Sequence, residues 1–289
     1  MKDIQFSDFP KANFDDWLSA AKKQLKKEDP LSELIWESHE TPSLNPYYDS
    51  TDLSELTNQV QFFQKLPPHQ WKLYEEIQVK NEREANSEAL EGLAGGCDGI
   101  IFNLSNEIDT ELLLKGIDTS SCDVSTFSVY QKGIFTRMNC DNTLVEGNTS
   151  SSPASQISEI LDGLKHQKHI YRNSFSDFFS EIATVRALRY FLASEKGIPD
   201  VFIHSSIQPH SNPEYQWFTN TIAGLASILG GSHSISLPTA IGDKRITRNV
   251  GNLIREESKI TSYSDQCGGS YFVESLTAKI VELVKESIR

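Results

Sequence analysis

Hydrophobic and polar positions along most of this chain follow the pattern of a sheet with crossover helices. From Trp71 onward, short β-branched runs alternate with amphipathic stretches, which predicts a parallel sheet. The predicted strands are Glu76–Val79, Gly99–Leu104, Val124–Tyr130, Lys168–Arg172, Val201–Ile207 and His233–Leu237. The predicted helices are Ala85–Ala94, Ser152–His166, Asp177–Ser194, Pro213–Leu229, Arg245–Glu257 and Leu276–Ile288. About 220 residues of such alternation predict an α/β fold of the TIM-type (β/α)8 class, degenerate or incomplete because six strands are evident.

The first part of the chain has a different pattern. Residues 1–70 are predicted to form an N-terminal arm that precedes a barrel domain over residues 71–289. Asn13 is a candidate N-cap for a helix that runs to Lys27 with an aromatic stripe on one face. A Pro-punctuated, extended segment follows around Trp36. Such an arm either wraps a partner or packs on its own barrel, and composition alone leaves both open.

Small polar residues recur in three of the predicted strands. A period of two places Ser232, Ser234 and Ser236 on one strand face, with apolar residues between them. Barrel strands present apolar side chains outward to their helices, so the serines are expected to face the axis, where Val, Ile and Leu usually stack. An axis lined by hydroxyls leaves room for water or a threaded polar chain. The alternative is that these serines occupy weakly packed surface or edge positions.

Composition narrows the classes of function. A net charge of -13 and an isoelectric point near 5.0 argue against nucleic acid as a partner. No run approaches the roughly 20 apolar residues of a membrane span, and the N-terminus lacks the apolar segment of a signal peptide, so we expect a cytoplasmic protein without membrane contact. The four cysteines have no zinc-ligand spacing, and no metal site is predicted.

Four blocks of sequence, in the same order, resemble the cobalamin-dependent acyl-CoA mutases, above all the methylmalonyl-CoA mutase family. They are the arm with Trp17 and Trp36, the helix 176–189, the segment 220–231, and the C-terminal run that contains Arg245–Asn249, Glu256–Ser258 and Gly268–Thr277. In that family, the barrel takes the pantetheine arm of coenzyme A along an axis lined with small hydrophilic residues. The resemblance therefore implies a channel for coenzyme A, with the candidate residues Ser125, Tyr171, Arg172, His204, Ser206, Ser232, Ser234 and Ser236.

The departures from the family pattern bear on function. Active mutases carry a Tyr-His pair where this chain has Tyr171 and Arg172, and a guanidinium cannot replace a neutral imidazole as a hydrogen-bond partner of a thioester. Segments after Asn173 and Gly231 are shorter than in active members, and the cobalt-ligand motif D-x-H-x-x-G is absent. No residue is predicted to be catalytic or to bind a cofactor.

The resemblance then implies a shortened, non-catalytic small-subunit-like chain without a cobalamin-binding domain. Its implied partner is a catalytic large mutase subunit, which holds adenosylcobalamin and interconverts methylmalonyl-CoA and succinyl-CoA. The alternative is an acyl-CoA mutase or acyl-CoA-binding barrel that acts with a separate cobalamin-domain polypeptide. In the carboxylate pairs Glu75-Glu76 and Glu256-Glu257, adjacent side chains point in different directions, so neither pair forms a general acid and base without a third group, and both are interpreted as solvated faces.

Overall fold

Eight strands form one closed barrel in this computed structural model. The structure describes residues 12–37, 42–68, 70–106, 108–128, 134–137, 143–147, 152–163, 169–174, 177–239 and 242–288. The strands are β1 (Lys72–Val79), β2 (Gly99–Leu104), β3 (Asp123–Ser128), β4 (Ile134–Arg137), β5 (Thr143–Gly147), β6 (His169–Asn173), β7 (Phe202–Ser206) and β8 (Ser234–Ser236). Neighbours pair in chain order, and β8 pairs with β1 to close the sheet.

The six strands predicted from sequence are present as β1, β2, β3, β6, β7 and β8, and they are parallel. The predicted ends at residues 129–130, 164–166 and 168 lie outside the described residues. Between β3 and β6, the short strands β4 and β5 complete the sheet through antiparallel β3–β4 and β4–β5 pairs. No described helix separates these three strands. The fold is therefore a degenerate TIM-type barrel, as expected.

Helices surround the parallel part of the barrel. The helices are α1 (Phe14–Leu25), α2 (Leu31–Leu34), α3 (Thr57–Gln64), α4 (Glu82–Ala94), α5 (Thr110–Leu113), α6 (Pro153–Gly163), α7 (Phe178–Glu195), α8 (Gln216–Gly230), α9 (Lys244–Glu257) and α10 (Tyr271–Ile288). Asn81, Asp177 and Asp243 begin α4, α7 and α9 by accepting hydrogen bonds from backbone amides of the first turn. Within the described residues, no helix is long and apolar enough to cross a membrane.

A pair of glycines ends α8 and brings it close to α7. Gly231 has φ +101°, a left-handed conformation that favours glycine, and it caps the helix. At Gly230, an added Cβ would lie 2.7 Å from Val185 Cβ and 2.9 Å from the Ile182 carbonyl oxygen. The two helices can therefore approach this closely only with glycine at 230.

The arm divides into a docked part and an undocked part. Gln59 of α3 donates to the Glu274 backbone carbonyl at 3.0 Å and to its carboxylate at 2.7 Å, and the Arg186 guanidinium lies 3.8 Å from the Phe63 ring centroid. Helix α1 begins at a capping box formed by Asn13 and Asp16, but it contains no buried residue. The arm thus packs on its own barrel around α3, while the aromatic stripe of α1 does not.

Candidate functional site

A cavity of about 790 Å³ opens at the carboxyl ends of the parallel strands. In (β/α)8 barrels this end carries the active site, because the loops after the strands converge there. The strand ends and the loops that follow them supply Gln78, Asn103, Asn173, Ser206, Gln208 and Thr239 to the cavity wall. The site is therefore polar, and it lies where a barrel of this class binds ligands.

The side-chain alternation of β1 separates the outer layer of the barrel from its interior. Leu73 packs in a cluster with Ile228 and Ile254, and Ile77 packs with helix α4 residues, so both face outward. Tyr74 and Glu76 face the barrel axis.

The outward carboxylate of β1 is paired rather than solvated. Glu75 is buried, and Arg248 of α9 donates to it at 3.0 Å. The interpretation of the Glu75-Glu76 pair as a solvated face is therefore wrong, because both faces of a barrel strand are covered. Glu256 and Glu257 are exposed, which confirms that interpretation for the second pair.

A stack of three rings lies on the inward faces of β1, β6 and β7. The imidazole of His204 lies between Tyr74 and Tyr171, with ring centroids 5.4 Å and 5.1 Å away and interplanar angles of 20° and 26°. His204 Nδ1 is 2.8 Å from Ser234 Oγ, and Nε2 is 3.1 Å from Ser236 Oγ. Both ring nitrogens are therefore engaged inside the chain, and the serines serve to orient an aromatic layer.

Glu76 lies directly above this stack and borders the cavity. Its Oε1 accepts hydrogen bonds from the hydroxyls of Ser236 and Tyr171, the latter at 3.1 Å, and lies 3.7 Å from His204 Nε2. Burial raises the pKa of the Glu76 carboxyl, but hydrogen bonds and the charge of His204 outweigh it and lower the pKa to about 2. Burial lowers the pKa of His204.

Arg172 lies in a different layer, between the sheet and the helices. Its side chain is fully buried, and both terminal nitrogens donate to the Glu181 carboxylate of α7, one of them at 2.9 Å. It also donates to Ser205 Oγ at 2.9 Å and to Gln156 Oε1 at 3.2 Å. The guanidinium thus joins β6 and β7 to α6 and α7.

The eight candidate channel residues therefore separate into two groups. Tyr171, His204, Ser234 and Ser236 meet at the ring stack, Ser206 lines the cavity, and the alternation of β3 directs Ser125 inward. The prediction that Arg172 and Ser232 line the channel is wrong. Arg172 lies in the outer layer with Glu181, and the Ser232 hydroxyl lies 2.7 Å from Ser205 Oγ in the same layer. Ser232 precedes β8, so the strand period does not extend to it. Whether the inward group binds coenzyme A stays a prediction.

Three residues of the interior were not among the candidates. Tyr74, Glu76 and Asn103 occupy inward positions on β1 and β2, and Asn103 Nδ2 is 3.3 Å from Glu76 Oε2. Leu73 and Ile77 of β1 face outward, so the period of two along a strand places Tyr74 and Glu76 on the inward face. Within the described residues, no group of three His, Cys, Asp or Glu side chains is placed to hold a metal ion.

Comparison with known proteins identifies relatives of this chain. A family model described as methylmalonyl-CoA mutase matches residues 204–289. The methylmalonyl-CoA mutase small subunit of Porphyromonas gingivalis is 23% identical over 388 residues, which cover 97% of this chain and 63% of the relative. A methylmalonyl-CoA mutase of Escherichia coli is 32% identical over 156 residues, 45% of this chain and 22% of the relative. The chain spans less than two thirds of the length of either relative.

The alignment with the Porphyromonas gingivalis protein is longer than the 289 residues of this chain, so that relative has internal segments without a counterpart here. Among solved structures, a mandelate racemase/muconate lactonizing enzyme from Roseiflexus sp. superposes with a TM-score of 0.32. Its identity is 10%, over 63% of this chain and 59% of that chain. That value is too low to bear on function.

Proposed function

We propose that this chain is a non-catalytic, small-subunit-like component of an acyl-CoA mutase of the methylmalonyl-CoA mutase family, a proposal supported by the family model over residues 204–289 and by the similarity to the Porphyromonas gingivalis small subunit. It would support a catalytic large subunit that interconverts methylmalonyl-CoA and succinyl-CoA. The observation that carries the proposal is the position of Arg172, to which the family resemblance assigns the catalytic histidine of active members. Its guanidinium is held by Glu181 in the outer layer, away from the cavity.

The barrel axis supports the same proposal. A pantetheine arm needs an open path along the axis, and the stacked rings of Tyr74, His204 and Tyr171 take up space on the inward faces of three strands. All three side chains are buried and mutually packed. Threading a polar chain would require at least one ring to leave the stack and break its hydrogen bonds.

The cofactor of the family does not fit the barrel residues. Cobalamin chemistry requires a cobalt centre that is ligated or shielded by the protein. His204 is buried inside the barrel, and both of its nitrogens are engaged by Ser234 and Ser236. We therefore place adenosylcobalamin in the partner subunit.

Helix α1 provides a candidate contact surface for that partner. Phe14 is 40% exposed and Trp36, further along the arm, is 51% exposed. Trp17 stacks on Tyr47 with centroids 5.5 Å apart, so the stripe is ordered by its own aromatic contacts. Interfaces concentrate binding energy in such aromatic side chains.

Co-expression with the large mutase subunit of the same source, followed by size-exclusion chromatography with mass detection, tests the proposal. We expect a stable one-to-one complex, and we expect the combined variant Trp17→Ala and Trp36→Ala to weaken it. Tyr263→Ala is the matched control, because Tyr263 is 72% exposed and lies outside the arm. Elution of the chain alone, as a monomer or homodimer, would contradict the proposal.

Titration of the isolated chain with methylmalonyl-CoA distinguishes the acyl-CoA-binding alternative. Because the stacked rings of Tyr74, His204 and Tyr171 take up space inside the barrel, we expect no saturable binding of methylmalonyl-CoA. Binding that is lost on adding bulk to the inward face, for example in Ser206→Phe, would favour an acyl-CoA-binding barrel that acts with a separate cobalamin-domain polypeptide.

A further inference from the structure

Helices α8 and α9 carry a group of exposed apolar side chains on the outside of the barrel. The two helices are neighbours, because Leu225 and Val250, one from each, pack against the same buried cluster. The exposed group, which we call the α8–α9 face, consists of Trp217, Phe218, Ile222, Ile246 and Leu253. Phe218 at 68% and Leu253 at 58% are the most exposed of them. An apolar surface with aromatic residues is typical of a protein–protein interface.

The spacing along α9 confines its part of this face to one side of the helix. Ile246, Val250 and Leu253 follow one another at intervals of four and three residues, so they lie along one side. The buried residues of α9, which face the barrel, are Thr247, Arg248, Gly251 and Ile254. Ile246 and Leu253 are therefore directed away from the barrel, and the half-buried Val250 lies between them at the boundary with α8.

Opposite charges lie at the two ends of α9, on one side of the helix. Arg245 is in its first turn and Glu256 is in its last, eleven residues later, which is about three turns or about 16 Å. Both side chains are 72% exposed. Arg245 is 3.6 Å from the exposed Asp243, and Glu256 is 3.3 Å from Arg255. Exposed contacts of this kind contribute little, so both charges keep their capacity to pair across an interface.

This order of charges is unfavourable within a single helix. A helix has a partial positive charge at its N-terminus and a partial negative charge at its C-terminus, so an anion is favoured in the first turn and a cation in the last. Arg245 has the opposite placement, and so have Glu256 and its exposed neighbour Glu257. An antiparallel helix alongside α9 would bring charges of the favourable sign to both ends. The α9 helix of a second copy has such charges at the same spacing.

We propose that two copies of this chain associate through the α8–α9 face, with their α9 helices antiparallel. A two-fold contact places the same surface on both sides. Arg245 of each copy then lies beside Glu256 of the other, and the apolar row of each α9 lies against that of the other. The net charge of -13 makes two copies repel each other in most orientations. The two Arg245–Glu256 pairs therefore select this one.

This inference goes beyond the proposed subunit role and uses a different surface, since the large subunit is assigned to the arm. Sedimentation velocity of the full chain, expressed without a large subunit, tests it over a concentration series. We expect a dimer with twice the 32.5 kDa mass of the chain. A chain that stays monomeric up to about 100 μM, or that associates beyond the dimer, would overturn the inference and leave the subunit proposal unaffected.

Substitutions within the face assign the contact. Phe218→Ser combined with Leu253→Ser should raise the dimer dissociation constant at least about tenfold, because such apolar anchors carry much of the binding energy of an interface. Both positions are exposed in the single chain, so the variant should fold normally. Leu283→Ser, at an exposed position of α10, is the matched control and should leave the dissociation constant within about twofold. Unchanged dimerisation in the Phe218 and Leu253 variant would overturn the proposal.

A charge exchange tests the antiparallel arrangement. Arg245→Glu and Glu256→Arg should each weaken the dimer several-fold, because each places like charges together at both ends of the contact. The two positions are too far apart within one chain to interact, so the double variant restores opposite charges only where they meet between copies. It should return the dissociation constant to within about twofold of the wild type. A double variant that dimerises as weakly as the single variants would overturn the proposal.

Discussion

Replacing Glu181 by alanine is predicted to cost this protein about 3–5 kcal/mol of unfolding free energy, because it leaves a fully buried guanidinium without its counter-charge. Arg172 and Glu181 are both 0% exposed and form a two-pronged ion pair. The Glu181 carboxylate also accepts a hydrogen bond from Ser227 of α8 at 2.6 Å. After the substitution, Ser205 and Gln156 are the remaining described partners of Arg172, and both are neutral.

Urea denaturation followed by far-UV circular dichroism measures this loss as a fall in the transition midpoint. Glu195→Gln is the matched control on the same helix, since Glu195 pairs with Lys285 at 3.2 Å in a partly exposed position. An exposed pair of this kind contributes about 0–1 kcal/mol. The double variant Arg172→Met with Glu181→Leu should recover most of the loss, because an apolar pair of similar volume often replaces a buried ion pair without net cost.

Two results would refute this reasoning. One is a loss in Glu181→Ala that lies within about 1 kcal/mol of the loss in Glu195→Gln, which would mean that solvent reaches Arg172. The other is a double variant that is less stable than Glu181→Ala alone. Either result would remove the argument that Arg172 is structurally locked, and with it the main support for a non-catalytic chain.

Three further predictions follow from the interior and the α7–α8 contact. The folded-state pKa of Glu76, about 2, is below its ordinary value of 4.5, so its stabilisation is present above pH 4.5 and lost as pH falls toward 2. In acid titrations monitored by circular dichroism, Glu76→Gln should lose less stability over that range than the wild type. Tyr171→Phe should keep the ring stack but lower the urea-derived unfolding free energy by about 1 kcal/mol, since it removes the hydroxyl bond to Glu76. Gly230→Ala should cost about 1–3 kcal/mol in the same assay, because its Cβ would overlap Val185, and an unchanged midpoint would contradict the close helix contact.

Strand positions were predictable where a β-branched run is long and bounded by turns. Strand β2 is six residues long and almost entirely buried, it begins at Gly99, and its predicted bounds match the structure. Strands β4 and β5 have four and five residues and were not predicted, because so few positions carry little periodicity. The helix of the arm was predictable from its Asn13 cap, whereas α3 was missed because its docking depends on tertiary contacts with α10.

The site was predictable only for residues inside a strand, because there the side chains alternate between the two faces. Ser234 and Ser236 face inward as expected, because both lie within β8. Tyr171 and Arg172 are adjacent on one strand, so they must face opposite sides, and the family resemblance alone had grouped them. Glu76 could not be assigned from sequence, since both faces of a barrel strand are buried and a polar residue suits either one.

Charge is distributed differently in the two layers of this barrel, and that difference connects its structure to its proposed roles. In the outer layer, each of the buried arginines has carboxylate partners: Arg172 binds Glu181, Arg186 binds Asp265 and Glu274, and Arg248 binds Glu75 and Glu91. These pairs join strands and helices of the outer layer. Removing Glu181 leaves Arg172 without a carboxylate, whereas Arg186 and Arg248 would each keep a second one.

In the inner layer, Glu76 is held by hydroxyls, an amide and the imidazole of His204. The paired outer layer fits the support role that we propose for the chain. Glu181→Ala should accordingly lower the unfolding free energy of the chain, whereas a conservative change in the inner layer such as Tyr171→Phe should lower it much less.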